Sequence, residues 1–285
     1  MIDLILEPLQ YVFMVRGVVA VLMVGVVCAT VGTYVVLRGM AFFGDALSHA
    51  ILPGVAVGYL VGGGDRGPLF WWALLAAVVS SVGIGMIAKG AKIREDTAIG
   101  IVFAGMFALG IALISTVRSY TADLAHFLFG DVLGVSNADL ARIAIFGALI
   151  VLTVVLFYKE FLVLSFDPLL AATLRLPAQL LEYLLLILIA LAIVVSLQSV
   201  GVALMVAMLV TPAAAAYLLT RRLWWMMVLA AIIASLSGVV GLYISYYASV
   251  ASGAAIVLTS TACFALAWTV RTLQRKSRER VFANA

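Results

Sequence analysis

The sequence predicts an all-α integral membrane protein of about nine transmembrane helices, and three observations predict it. Two residues in three are hydrophobic and 11% are charged, giving a mean hydropathy of +1.25 over 285 residues; one water-soluble core cannot hide that much apolar surface. The apolar residues fall in runs of about 16 to 22, which at about 1.5 Å per residue suit helices crossing roughly 30 Å of hydrocarbon. Barrel strands would be half that length and would alternate in character, which these runs do not. Third, the basic residues gather between alternate runs.

In order, the spans cover residues 16–37, 46–61, 69–88, 98–117, 140–157, 183–197, 202–219, 223–246 and 251–270. Only Gln198 to Gly201 separate the sixth from the seventh, so a count of eight also fits. The first ten residues carry Asp3 and Glu7 and no base, unlike a cleavable signal peptide, so the first run reads as a true span. Lys and Arg are retained on the cytoplasmic side of short loops. With the N-terminus outside, Arg38, Lys89, Lys92, Arg94, Lys159, Arg175, Arg221, Arg222, Arg271, Arg275, Lys276, Arg278 and Arg280 fall inside, leaving Arg16, Arg66, Arg118 and Arg142 outside. The C-terminus is then cytoplasmic, and the basic tail, 271–285, reads as a lipid-facing anchor. Cys28 and Cys263 lie within apolar runs and read as small hydrophobes. Gly54, Gly58, Gly83 and Gly85 read as close helix packing.

Two connections exceed a turn. The external one, 118–139, holds an apolar piece at 124–129 broken by Gly130 and Gly134, which predicts a short helix against the outer face. Its His126, near Asp123 and Asp131, reads either as a solvated loop residue or as an entry point for metal. The internal connection, 158–181, is more informative. Asp167 followed by Pro168 reads as an N-cap with proline at the first helical position, and Leu176-Pro177 ends the helix about two turns later. The result is a short helix over 168–175, too short to span. It is either an interfacial helix on lipid headgroups or a docking knob, with Ala171 and Ala172 allowing close approach and Leu169, Leu170 and Leu174 offering an apolar surface.

Asp45 and His49 are the candidate chemical residues. Four apart, they share one helix face, and an ionisable group within a span is costly enough to need a functional or pairing reason. Carboxylate oxygen and imidazole nitrogen are ligands of Mn²⁺, Zn²⁺ and Fe²⁺. Two ligands do not close a site, but a two-fold dimer with this helix on its axis would supply four. Alternatively Asp45 is the N-cap of the second span, bonding the amide of Leu47 or Ser48, and His49 is a satisfied buried histidine. The predicted second span covers only about 24 Å, so it can start within the membrane beside a cavity. Thr211-Pro212 predicts a kink in the seventh span that shapes the pore wall or relieves packing. No Gly-x-x-x-x-Gly-Lys-Ser/Thr loop appears, so the chain does not split ATP in the usual way and energy for pumping comes from a partner or an ion gradient; the lack of a Gly-x-Ser-x-Gly elbow or His-Glu-x-x-His weighs against a hydrolase or metalloprotease.

The run Leu37-Arg38 through Gly44-Asp45-Ala46-Leu47-Ser48-His49-Ala50-Ile51-Leu52-Pro53-Gly54 resembles the signature of the permeases of bacterial manganese, zinc and iron ABC importers. The resemblance extends to Ser165-Phe166-Asp167-Pro168 with Leu176-Pro177, and to Val200-Gly201-Val202-Ala203-Leu204 with Thr211-Pro212-Ala213-Ala214. It implies a single permease domain over 1–285 with the type II ABC importer fold, similar to the cobalamin and iron-siderophore importers. It also implies a homodimer in the bacterial cytoplasmic membrane, a cytoplasmic ATPase dimer and an extracytoplasmic metal-binding protein, with the divalent metal as transported substrate rather than resident cofactor. Asp45 and His49 would contact the metal. Asp167, Pro168, Leu169, Leu170, Ala171, Ala172, Leu174 and Arg175 would form the coupling helix to the ATPase. The chain departs from the family pattern at Leu169, where an acidic residue is common, at Arg175, where glycine is common, and at Gly39, where a base is common. Two rivals stand: an ATP-independent divalent-cation carrier or channel, and a membrane metalloenzyme lacking an evident third ligand. Nothing points to nucleic acid.

Overall fold

A computed structural model describes residues 2–62, 66–116 and 132–283. Thirteen α-helices and one 3-10 turn account for almost all of them, with no strand among the described residues. Nine helices there are long and apolar enough to cross a membrane. They are α2 (Val12–Leu37), the pair α3 (Phe43–Ala50) and α4 (Leu52–Gly62), α5 (Arg66–Gly90), α6 (Glu95–Ser115), α7 (Asn137–Leu156), α10 (Ala178–Val200), α11 (Val202–Leu219), α12 (Leu223–Ala248) and α13 (Ser252–Ala283). The nine predicted spans match these one for one. The shorter helices are α1 (Ile2–Leu9), α8 (Tyr158–Phe166) and α9 (Pro168–Thr173).

Helix α10 is the most buried span and α6 the least. α2, α11, α12 and α13 pack as one group, α4, α5 and α6 as another, and α10 and α3 lie between them. Close approach depends on missing side chains. A Cβ at Gly32 of α2 would strike the Leu209 carbonyl of α11, and one at Gly54 of α4 the Trp72 carbonyl of α5. Gly58 and Gly85 also face neighbours at contact distance, whereas Gly83 faces open space and is not a packing glycine. The outward faces carry Leu152, Leu156, Leu258 and Leu266, as a lipid-facing surface requires.

Local signals explain the helix ends. α2 stops in a Schellman turn: Gly39, at φ +70°, donates to the Val36 carbonyl, and Met40 donates to the Val35 carbonyl at 3.0 Å. Glycine suits this position because no Cβ opposes a left-handed φ, which accounts for its presence there. A single residue, Gly201 at φ +80°, divides α10 from α11, so the sixth and seventh spans are separate and the count is nine among the described residues. α7 begins at a reciprocal capping box, Ser136 with Asp139.

The internal connection departs from the sequence expectation in one respect: residues 158–166, read as loop, form helix α8, whose Phe161 and Leu164 are buried. Asp167 then caps α9 as expected, its carboxylate accepting from the Leu170 amide at 3.0 Å. α9 ends at Thr173, before 175. In the external connection, the piece at 124–129 and His126, Asp123 and Asp131 lie outside the described residues.

Candidate metal site

Helix α3 opens at Phe43 with Phe42 as N-cap and no side-chain cap. Asp45 is therefore inside the first turn, and the reading of Asp45 as the N-cap is overturned. Its carboxylate sits where the helix dipole favours negative charge without being consumed by a backbone amide. Ser48 instead turns back on the chain, its hydroxyl donating to the Asp45 carbonyl at 2.7 Å.

Asp45 Oδ1 and His49 Nε2 stand 3.9 Å apart, with the side chains 40% and 28% exposed. That is too long for a hydrogen bond. Two donors each about 2.1 Å from one ion can lie up to about 4.2 Å apart, so a single cation is within reach of both. The other ring nitrogen, Nδ1, is buried without a partner, so His49 is not the satisfied core histidine of the alternative reading. The imidazole is walled by Phe103 and Phe107 of α6, edge to face at 6.0 and 5.7 Å between ring centres. These two aromatics were not singled out from the sequence; their i,i+4 spacing on the fourth span was the available signal.

Proline shapes the far side of the site. Pro53 has no N–H, so the His49 carbonyl has no i+4 donor and the helix breaks at Ile51. α11 closes another side, where Leu209 Cδ2 would lie 2.8 Å from a Cβ at Gly44. Two and three residues on, Thr211 and Pro212 lie within an unbroken α11. Among the described residues, no group of three or more His, Cys, Asp or Glu gathers anywhere.

At the ends of α2, α5, α6 and α10, a chain of ion pairs joins distant segments. Arg38 Nη2 lies 2.9 Å from Glu95 Oε1 and 3.5 Å from Glu182 Oε1, and Lys89 Nζ lies 2.6 Å from Glu182 Oε2. Of the predicted coupling residues, Asp167, Leu170, Leu174 and Arg175 are exposed and Ala171 is buried. The side chains of Pro168, Leu169 and Ala172 lie outside the described set. Arg175 takes φ +53°, a left-handed conformation that costs a residue with a Cβ more than it costs glycine.

Comparison with known proteins sets this geometry in a family. The ABC 3 transport family profile matches residues 10–271. The manganese transport system membrane protein MntC of Listeria monocytogenes is 46% identical over 93% of this chain and 93% of its own. A probable iron transport system membrane protein of Haemophilus influenzae is 41% identical over 94% and 97%. A solved structure of PsaBC from Streptococcus pneumoniae in complex with Fab superposes with a TM-score of 0.81 at 40% identity, covering 94% of this chain and 95% of that one. The nine apolar helices, the polar pair on α3 and a match across nearly the whole length agree, and the chain belongs to the ABC 3 transport family as a multi-pass membrane permease.

Proposed function

We propose that this chain is the permease subunit of an importer for a divalent transition metal (manganese, iron or zinc) that works as a two-fold pair in the cytoplasmic membrane. The observation that carries the reading is the Asp45–His49 pair, 3.9 Å apart, partly exposed on one helix, with one imidazole nitrogen free of partners. The manganese and iron transport names of its relatives support the same substrate class.

Exposed ionisable groups on an apolar span are unfavourable facing lipid. A second copy across a two-fold axis covers them and doubles the ligand set to two carboxylates and two imidazoles. Such a shared, incomplete set holds an ion firmly enough to strip water and loosely enough to release it. Zn²⁺ outcompetes Mn²⁺ at most such ligands, so selectivity rests on geometry and on an extracytoplasmic binding protein that delivers the ion. α9, with its Asp167 cap and exposed Leu170 and Leu174, is the docking element for a separate cytoplasmic ATPase dimer. α11, packed on α3 through Leu209, carries Thr211 and Pro212 as part of the pore wall. The distribution of Lys and Arg supports an outside N-terminus and a cytoplasmic C-terminus.

The test is uptake of radioactive Mn²⁺ and Zn²⁺ by cells expressing the permease with its ATPase and binding protein. At equal expression, Asp45→Asn and His49→Ala are expected to lower uptake by at least about tenfold, the scale on which metal-site changes act. Normal uptake in both variants overturns the reading.

A further inference from the structure

The ion-pair chain at Arg38 joins the elements that a transport cycle must link. Arg38 ends α2, and the Gly39 turn carries the chain from it directly into α3 and Asp45. Glu95 is the first residue of α6, the helix that presents Phe103 and Phe107 to His49. Glu182 lies one turn into α10, just after α9 and the Arg175–Pro177 turn. The Arg38 guanidinium therefore touches the helix that leaves α9 and the helix that supports His49, while its backbone leads into the helix of Asp45.

Glu95 and Lys89 are partly exposed, at 37% and 34%, but the Arg38 side chain is 12% exposed and that of Glu182 16%. Charges this sheltered interact more strongly than surface pairs and are costly to leave unpaired. Capping does not account for the guanidinium, because the backbone of Arg38, Gly39 and Met40 already closes the end of α2. One nitrogen, Nη2, serves both carboxylates, while Nη1 is buried without a partner. Arg38 thus holds a spare donor and can change its share between Glu95 and Glu182 without losing its charge partners.

We propose that Arg38 is a positioning residue that transmits displacement of α9 to the Asp45–His49 pair, by way of Glu182 on one side and Glu95 on the other. The proposal rests on the docking and metal-binding roles given above. Transmission of this kind is a coupling between two sites, in which nucleotide on the ATPase alters metal affinity in the permease.

The experiment measures Mn²⁺ binding to the assembled transporter in lipid nanodiscs, nucleotide-free and with a non-hydrolysable ATP analogue, in wild type, Arg38→Lys, Arg38→Ala and Glu182→Gln. Wild type is expected to change its Mn²⁺ affinity by at least about tenfold when the analogue binds. Arg38→Ala and Glu182→Gln are expected to reduce that change to less than about twofold, with the ATPase still bound and basal hydrolysis kept. Arg38→Lys, which keeps the charge but not the planar fork, is expected to fall between them and reads the same effect if Arg38→Ala fails to assemble. A purely structural role would lower affinity equally in both nucleotide states, and an undiminished change in the variants overturns the proposal. Wild type that binds Mn²⁺ but shows no nucleotide effect also overturns it. Wild type that binds neither Mn²⁺ nor ATPase overturns instead the function on which it rests.

Discussion

The Leu176 amide donates to the Ala171 carbonyl at 3.1 Å, across an Arg175 held at φ +53°. α9 thus ends in a Schellman turn whose left-handed residue carries a side chain, at a cost of about 1 kcal/mol relative to glycine. Arg175→Gly is expected to stabilise the isolated permease by that amount, raising its melting temperature by about 2 °C. An unchanged or lowered melting temperature in detergent argues that the Arg175 side chain contributes contacts that offset the strain.

The opposite end of α9 depends on Asp167. Asp167→Ala removes the acceptor of the Leu170 amide, costing about 1 kcal/mol of helix. ATPase captured by the tagged permease is expected to fall about fivefold, the equivalent of that energy. Undiminished capture would mean that docking does not depend on a preformed α9.

Phe107 bears on the site without being a ligand. Its ring stands edge to face with His49 at 5.7 Å, a contact worth about 0.5–1.5 kcal/mol. Phe107→Ala is expected to weaken apparent Mn²⁺ affinity in uptake by about two- to tenfold while expression holds. Unaltered half-saturation would show that Phe103 alone fixes the ring.

Gly32 and Gly83 form a matched pair for stability. Gly32→Ala drives a methyl into the Leu209 carbonyl, a backbone atom that cannot rotate away, and is expected to cost about 1–3 kcal/mol and to lower the yield of monodisperse protein. Gly83→Ala meets nothing within 4 Å and should be neutral or slightly stabilising. Equal yields would contradict the close α2–α11 crossing.

Much of this fold was legible in the sequence because the bilayer imposes one dominant pattern: an apolar run long enough to cross it. The nine runs and the Asp167-Pro168 cap followed from local chemistry. α8 was not legible, because Phe161 and Leu164 are few and flanked by Lys159 and Glu160, which look like loop. The start of α3 was misread because Asp45 is a good capping residue by type, whereas Phe42, a poor one, takes that place. Half the site was visible, since Asp45 and His49 are four apart. The Phe103–Phe107 wall and the Arg38–Glu95–Glu182–Lys89 ladder come from distant segments and belong to tertiary packing, which periodicity cannot see.

The break at Ile51 and Pro53 divides the second span into parts with different footing. α4 is clamped on α5, its Gly54 tight against Trp72, whereas α3 spreads its contacts over α5, α6, α10 and α11. The half that carries Asp45 and His49 therefore lacks one backbone bond to the other, the one that Pro53 removes, and we expect it to tilt about that point while its other half stays anchored. In amide hydrogen exchange, α3 would open in a unit of its own, ahead of α4, and a bound ion would slow the first without touching the second.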